Sequence, residues 1–272
     1  MHGALSIRGA GKIYDPGGLH VVAMQGVSVE IPAGAFCVVV GPSGCGKTTL
    51  LNAVAGFDNL TAGEIHLDTR PIASISARPK PGPDRMVVFQ NGALFPWKTV
   101  LWNVSCGPVR QGRLSQREAE RQARELMHKV GLSEIEDQYP EQLSGGQKRR
   151  VEIVRALMND PKILLLDEPF RALDALTKSV VQEFLLEVYD LSPKTVFFIT
   201  HDLEEAIFLA DFVVVMTTRP GTVKSVVKVD IARPRDHRVL TTPRFLELFA
   251  ALQRDIHEEA RRAFEAGERE LA

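Results

Sequence analysis

The 272-residue sequence predicts an α/β fold built around a mainly parallel sheet, on three observations. Short apolar runs at 36–40, 86–89, 163–166, 195–199 and 212–216 have the length and composition of buried strands. Helical patterning separates them, around 115–131, 148–158, 175–190 and 203–210. The first run leads into Gly41-Pro42-Ser43-Gly44-Cys45-Gly46-Lys47-Thr48-Thr49, which fits G-x-x-x-x-G-K-[ST], and a helix follows it, as that phosphate loop requires.

The chain ahead of this loop reads as β-rich. Ile7-Arg8 and Val27-Ser28-Val29-Glu30-Ile31 carry strand patterning, with breaks at Pro16-Gly17-Gly18 and Pro32-Ala33-Gly34. Tyr14 stands in a polar N-terminal loop. An isolated aromatic there is ordinarily surface or packing; its functional reading is a platform for an adenine ring. In the glycine loop, backbone N–H groups turn inward around a phosphate chain, and the following helix adds the positive end of its dipole. Lys47 is placed to reach the β and γ phosphates and Thr48 to offer a hydroxyl to Mg²⁺. The helix position of Cys45 favours a thiolate. Leu50–Ala55 continues as helix to Gly56.

Gly63–Asp68 alternates like a strand, and 69–84, rich in proline, serine and arginine, reads as a loop. Met86–Phe89 is the next strand, ending at Gln90, and 91–112, with Phe95, Trp97 and Trp102, reads as irregular. Ser115 to Glu118 matches a capping box, opening a helix with an apolar stripe of Ala119, Ala123, Leu126 and Val130. Its other face pairs Glu120 with Arg124 and Glu125 with Lys129. Leu143-Ser144-Gly145-Gly146-Gln147 puts a hydroxyl and free N–H groups at a helix start, either a second anion site or a plain N-cap. Beyond 222 the chain is polar, and 243–264 reads as a helix.

Four apolar strands end in Gly41, Gln90, Asp167 and His201. In parallel α/β sheets ligands bind beyond the carboxyl ends of strands, so these residues are expected to converge. Asp167 then holds Mg²⁺, directly or through water, and Glu168 orients and deprotonates the attacking water. Gln90 either ligates Mg²⁺ or holds the water, and His201 hydrogen-bonds the γ-phosphate. The plainer readings are a strand-end turn with solvated acids and a polar cap.

Hydrophobic content of 44% supports a sizeable core, and a formal net charge of −1 offers no basic footprint for nucleic acid. No apolar run reaches bilayer-spanning length, and the N-terminus has no signal-peptide core. Cys37, Cys45 and Cys106 form neither a close pair nor a metal spacing, in keeping with a reduced compartment.

Over roughly residues 5 to 220 the sequence resembles the ATPase subunit of ATP-binding cassette (ABC) transporters. The residues that carry the resemblance are the Walker A run 41–49, Gln90 as Q-loop, the signature Leu143–Gln147, Ile163–Asp167 with Glu168 as Walker B, Ala172-Leu173-Asp174 as D-loop and His201 as H-loop. Tyr14 matches the family's adenine-stacking aromatic. The resemblance implies a P-loop NTPase with an antiparallel β subdomain and a helical subdomain at about 91–159, within a domain of 1–221 followed by a C-terminal extension of 222–272. A narrower resemblance, to the nitrate/sulfonate/taurine importer branch, rests on Val88–Trp97 and Met216–Gly221.

The implied activity is ATP hydrolysis powering an importer, with ATP and Mg²⁺. Gly41 to Thr49 would bind one nucleotide, and Ser144, Gly145, Gly146 and Gln147 would face the nucleotide of a second copy. Thr48, Gln90 and Asp167 would hold the metal; Glu168, His201 and Gln90 would serve catalysis. The implied partners are that second copy, two permease subunits met by 91–105 and, indirectly, a periplasmic or extracellular solute-binding protein, at the cytoplasmic face of the inner membrane. A soluble ABC-type ATPase in DNA repair or translation would need coiled-coil insertions, tandem cassettes or basic surfaces. A P-loop kinase would have no use for the signature. Two departures stand out: Arg171, where the branch has a small residue, and Glu152-Ile153-Val154 in place of small residues after the signature.

Overall fold

The computed structural model describes residues 2–15, 18–76, 78 and 80–265; the expected break at 16–17 and the tail 266–272 lie outside them. The chain divides into two compact units, one of residues 1–82 and 193–272, the other of residues 83–192.

In the first unit, β1 (Leu5–Tyr14), β2 (Val21–Ile31), β4 (Ala62–Leu67) and β5 (Arg70–Ser74) form an antiparallel sheet in the order β2-β1-β4-β5. Register pairs Leu5 with Ile31 and Ile7 with Val29, which stacks apolar side chains on one buried face. Tyr14 is the last residue of β1, opposite Val21, rather than a loop residue. The expected loop 69–84 contains β5, whose Ile72 and Ala73 are buried.

The same unit holds β3 (Phe36–Val40), β8 (Thr195–Ile199), β9 (Phe212–Met216) and β10 (Val223–Lys228), in the order β10-β9-β3-β8. β3 runs parallel to both β8 and β9, and β10 closes the edge antiparallel. β3 and β8 are buried throughout, as their unbroken apolar runs require. β10 is only half-buried, so it lacks the apolar run that would mark it in sequence. α1 (Lys47–Ala55) lies against β2, β5 and β8; α6 (Leu203–Leu209) packs on β3 and β9; α7 (Pro243–Glu265) packs on α6 and β9.

In the second unit, β6 (Arg85–Val88) and β7 (Ile163–Asp167) are parallel, with Val88 opposite Leu166. β6 ends one residue earlier than its apolar run, and Phe89 is 42% exposed. α2 (Val100–Arg110), α3 (Gln116–Lys129), α4 (Gly145–Met158) and α5 (Ala175–Leu191) complete the unit.

α2 overturns the irregular reading of 91–112 over residues 100–110, while 91–99 is a loop as expected. Thr99 caps it by accepting from the Trp102 amide at 3.3 Å, and Val100, Leu101 and Val104 are buried, although Pro108 lies inside it. Half of the expected capping box forms at α3: the Ser115 hydroxyl accepts from the Glu118 amide at 3.3 Å, but the Glu118 carboxylate accepts from Arg121 and Gln122. Those bonds hold the Glu118 carboxyl at about 2. Met127 takes the buried place expected of Leu126. Glu120 pairs with Arg124 at 3.9 Å, while Glu125 pairs with Arg121 rather than with Lys129.

Candidate functional site

In the first unit the phosphate loop leaves β3 and enters α1. Gly46 caps α1 at φ 93°, a left-handed conformation, and a Cβ there would stand 2.9 Å from the Ala23 carbonyl oxygen, so only glycine fits. Lys47 is 8% exposed, and its ammonium donates to the carbonyls of Gly41 at 2.7 Å and Pro42 at 2.9 Å. The charge is therefore held within the loop, while Ser43, Gly44 and Thr48 are exposed along its rim. Thr49, Gly41 and Pro42 complete the run.

Cys45 differs from expectation. It is buried, and burial pushes its thiol pKa up, against the smaller opposing pull of the Lys47 charge and hydrogen bonds. The helix start does not yield a thiolate here.

The loop is braced from behind by the turn after β9. Gly221 donates to Ala23 O at 3.1 Å and accepts from Gln25 N at 2.9 Å, and the Arg219 guanidinium donates to Gly44 O at 3.2 Å. A Cβ on Gly221 would lie 1.9 Å from the Cys45 carbonyl oxygen, an impossible contact. From the sequence this turn stood only as part of a branch resemblance.

Two further predicted residues lie in this unit. Parallel pairing of β3 and β8 brings the start of the loop and His201 to the same sheet edge, with Thr200 N donating to Val39 O at 3.2 Å. His201 is exposed, just ahead of Asp202, which caps α6 by accepting from Glu205 N at 3.1 Å. Tyr14 is 37% exposed and its hydroxyl is anchored, donating to Asp58 at 2.8 Å and reaching Thr49 at 3.5 Å. Lys12 binds the same carboxylate at 2.5 Å and lies 4.9 Å from the Tyr14 ring centre. Desolvation would raise the Asp58 pKa, but the Lys12, Tyr14 and Asn59 hydrogen bonds outweigh it and hold it low. Lys12 and Asp58 carried no motif.

In the second unit, parallel pairing of β6 and β7 sends Gln90 and Asp167-Glu168 out at the same end. Glu168 has φ 41°, an uncommon conformation for a residue with a side chain. Its carboxylate accepts from Arg171 at 3.3 Å, so the residue that departs from the branch pattern touches the proposed base.

Ser144 caps α4: its hydroxyl accepts from Gln147 N at 3.2 Å while the Gln147 side chain accepts from Ser144 N at 2.9 Å, a complete capping box. The capping reading is therefore realised, and the hydroxyl retains its own hydrogen to donate. Ser144 and Gly145 are exposed, but Gly146 is buried, where a Cβ would stand 2.5 Å from the Thr177 methyl on α5. Asp174 caps α5 through Thr177 N at 3.1 Å and the Thr177 hydroxyl at 2.6 Å, bonds that lower its carboxyl pKa.

The ABC transporter family profile matches residues 24–171. The chain is 45% identical to a taurine import ATP-binding protein of Rhizobium johnstonii, over 88% of this chain and 91% of that one. It is 46% identical to a nitrate import ATP-binding protein of Synechococcus elongatus, over 84% and 82%. With a bicarbonate transport ATP-binding protein of Synechocystis it shares 42% identity over 90% and 86%. Among solved structures it is similar to a dimeric, post-hydrolysis ATP-binding cassette bound to ADP and Pi, with a TM-score of 0.69 and 30% identity over 84% of this chain and all of that one.

Proposed function

The chain belongs to the ABC transporter family, as an ATP-hydrolysing subunit of an importer, and we propose that its cargo is a small solute of the nitrate, sulfonate, taurine or bicarbonate kind. The observation that carries the assignment of the site is the phosphate loop itself, a glycine cradle with its lysine held inside and its rim open.

ATP is the substrate. Backbone N–H groups of 41–49 and the start of α1 bind its phosphates, Lys47 moves its ammonium from the loop carbonyls to the β and γ phosphates, and Tyr14 stacks on the adenine. The donor set of Thr48 hydroxyl, Gln90 amide and Asp167 carboxylate consists of hard oxygens and suits Mg²⁺. Held there, Mg²⁺ would supply charge neutralisation for the phosphate chain. Glu168 takes the proton of the attacking water and His201 hydrogen-bonds the γ-phosphate. Ser144, Gly145, Gly146 and Gln147 act on the nucleotide of a second copy, in keeping with the dimeric cassettes the chain is similar to. Among the described residues no helix is long and apolar enough to cross a membrane; attachment to the cytoplasmic face by permease partners is assigned on the likeness to importer ATP-binding proteins.

Replacing Glu168 by Gln keeps the shape and removes the base. ATP binding should survive while turnover falls by roughly 100-fold or more, because the proton acceptor is lost. Wild-type turnover in Glu168→Gln would remove that residue from the role assigned to it.

A further inference from the structure

Glu152 has no place in the site described above, and its position is one of the two departures from the branch pattern that the sequence resembles. It is nevertheless buried, with Arg149 beside it on the same face of α4: the two side chains are 8% and 7% exposed and 2.6 Å apart. Burying both charges is expensive unless every polar atom finds a partner. Here the partners come from one short stretch of backbone. Arg149 donates to the carbonyls of Phe89 at 2.7 Å and Gln90 at 2.8 Å, while Glu152 accepts from the Ala93 amide at 2.8 Å. One turn on, Arg155 donates to Ala93 O at 2.6 Å and its guanidinium lies 4.8 Å from the Phe95 ring centre. Gly92 makes room: a Cβ there would stand 2.9 Å from a Glu152 carboxylate oxygen. The chain has just left β6, whose ladder no longer satisfies these backbone groups, and α4 takes over.

We propose that Arg149 and Glu152 are positioning residues that fasten the backbone of Gln90 to the helix that Ser144 opens, so that Gln90 and the signature are presented as one body. A displacement of 91–97 by a partner then moves the signature with it, without slack. The consequence for catalysis rests on the roles proposed above for Gln90 and Ser144; the fastening itself rests on the contacts alone.

The test uses the full-length chain with Glu152→Ala and, in case a stranded buried Arg149 prevents folding, the apolar pair Arg149→Met with Glu152→Leu. Hydrogen exchange across 89–95 reads the fastening and should speed up by about tenfold or more once the Ala93 amide loses its acceptor. Turnover should fall roughly 10- to 100-fold through misplacement of Gln90, with the KM for ATP changed by less than about threefold. In a Gln90→Ala background the same substitutions should cost less than about a further twofold, because both act through one residue. Unchanged exchange in the folded variants overturns the proposal. Losses that multiply with Gln90→Ala also overturn it, because the pair would then be structural only. Faster exchange together with wild-type turnover in Gln90→Ala would overturn the assignment of Gln90, and the catalytic consequence with it, while leaving the fastening in place.

Discussion

A cysteine at a helix N-terminus beside a lysine ordinarily ionises readily, yet Cys45 is buried, and desolvation of the thiolate outweighs the pull of Lys47. Alkylation of Cys45 in the native chain should therefore be slower than in the urea-unfolded chain by about tenfold or more, measured by mass spectrometry of the 41–49 peptide; equal rates would show an open thiolate. Tyr14 divides differently. In the proposed site its ring face serves the adenine, while its hydroxyl is spent on Asp58. Tyr14→Ala should weaken ATP binding by about 1–3 kcal/mol, the range of base–aromatic stacking. Tyr14→Phe keeps the ring and should bind ATP within about fivefold of wild type, since one partly exposed hydrogen bond is worth about 1 kcal/mol. Titration with a fluorescent nucleotide separates the two.

Between β6 and α2 the chain forms a loop whose aromatic residues have unequal tasks. Phe95 is half-buried: it meets Trp102 edge-on at 5.4 Å and lies under Arg155, and Asn103 ties its backbone by accepting from Phe95 N at 2.8 Å and donating to Phe95 O at 3.2 Å. Trp97 is 68% exposed. Aromatic residues are enriched at the cores of protein interfaces, so for the proposed permease contact Trp97 is the better anchor and Phe95 its support. Trp97→Ala should weaken assembly with the membrane subunits, measured by co-purification, while leaving the melting temperature and basal ATPase of the isolated subunit unchanged. Phe95→Ala should lower both stability, by roughly 2 kcal/mol, and assembly. α2 lies in a stretch that reads as irregular in the sequence and contains Gly107 and Pro108; the Thr99 cap and buried Val100, Leu101 and Val104 hold it together.

At the scale of the whole molecule the question is whether the signature serves its own chain or another copy. In the proposed composite site, Lys47→Ala and Ser144→Arg would damage the two halves separately. If two copies share their nucleotides, each variant alone has both sites damaged and should fail to form an ATP-dependent dimer. An equimolar mixture contains heterodimers in which one site joins the intact phosphate loop of the Ser144→Arg copy to the intact signature of the Lys47→Ala copy. Size-exclusion chromatography with Mg-ATP should show dimer in the mixture and monomer in each variant. No recovery, with both variants folded, would mean that the signature does not act across copies.

The phosphate loop, the strand ends that bear Gln90, Asp167 and His201, and the capping serine at 144 were legible in the sequence because each is a local pattern: an apolar run, a turn requirement, a helix start. Local pattern also placed β3, β7, β8, β9 and α7 closely. Tertiary structure alone decided what distant groups do to one another. It anchored Tyr14 on Asp58, 44 residues away, kept Cys45 as a thiol, and joined β5 and β10 to sheets for which they carry little apolar signal. It also turned Glu152, a bare departure from a pattern, into half of a buried pair gripping a segment about 60 residues upstream. Periodicity reports which face of an element is buried; which charges and carbonyls then share that dry environment follows only from the packing.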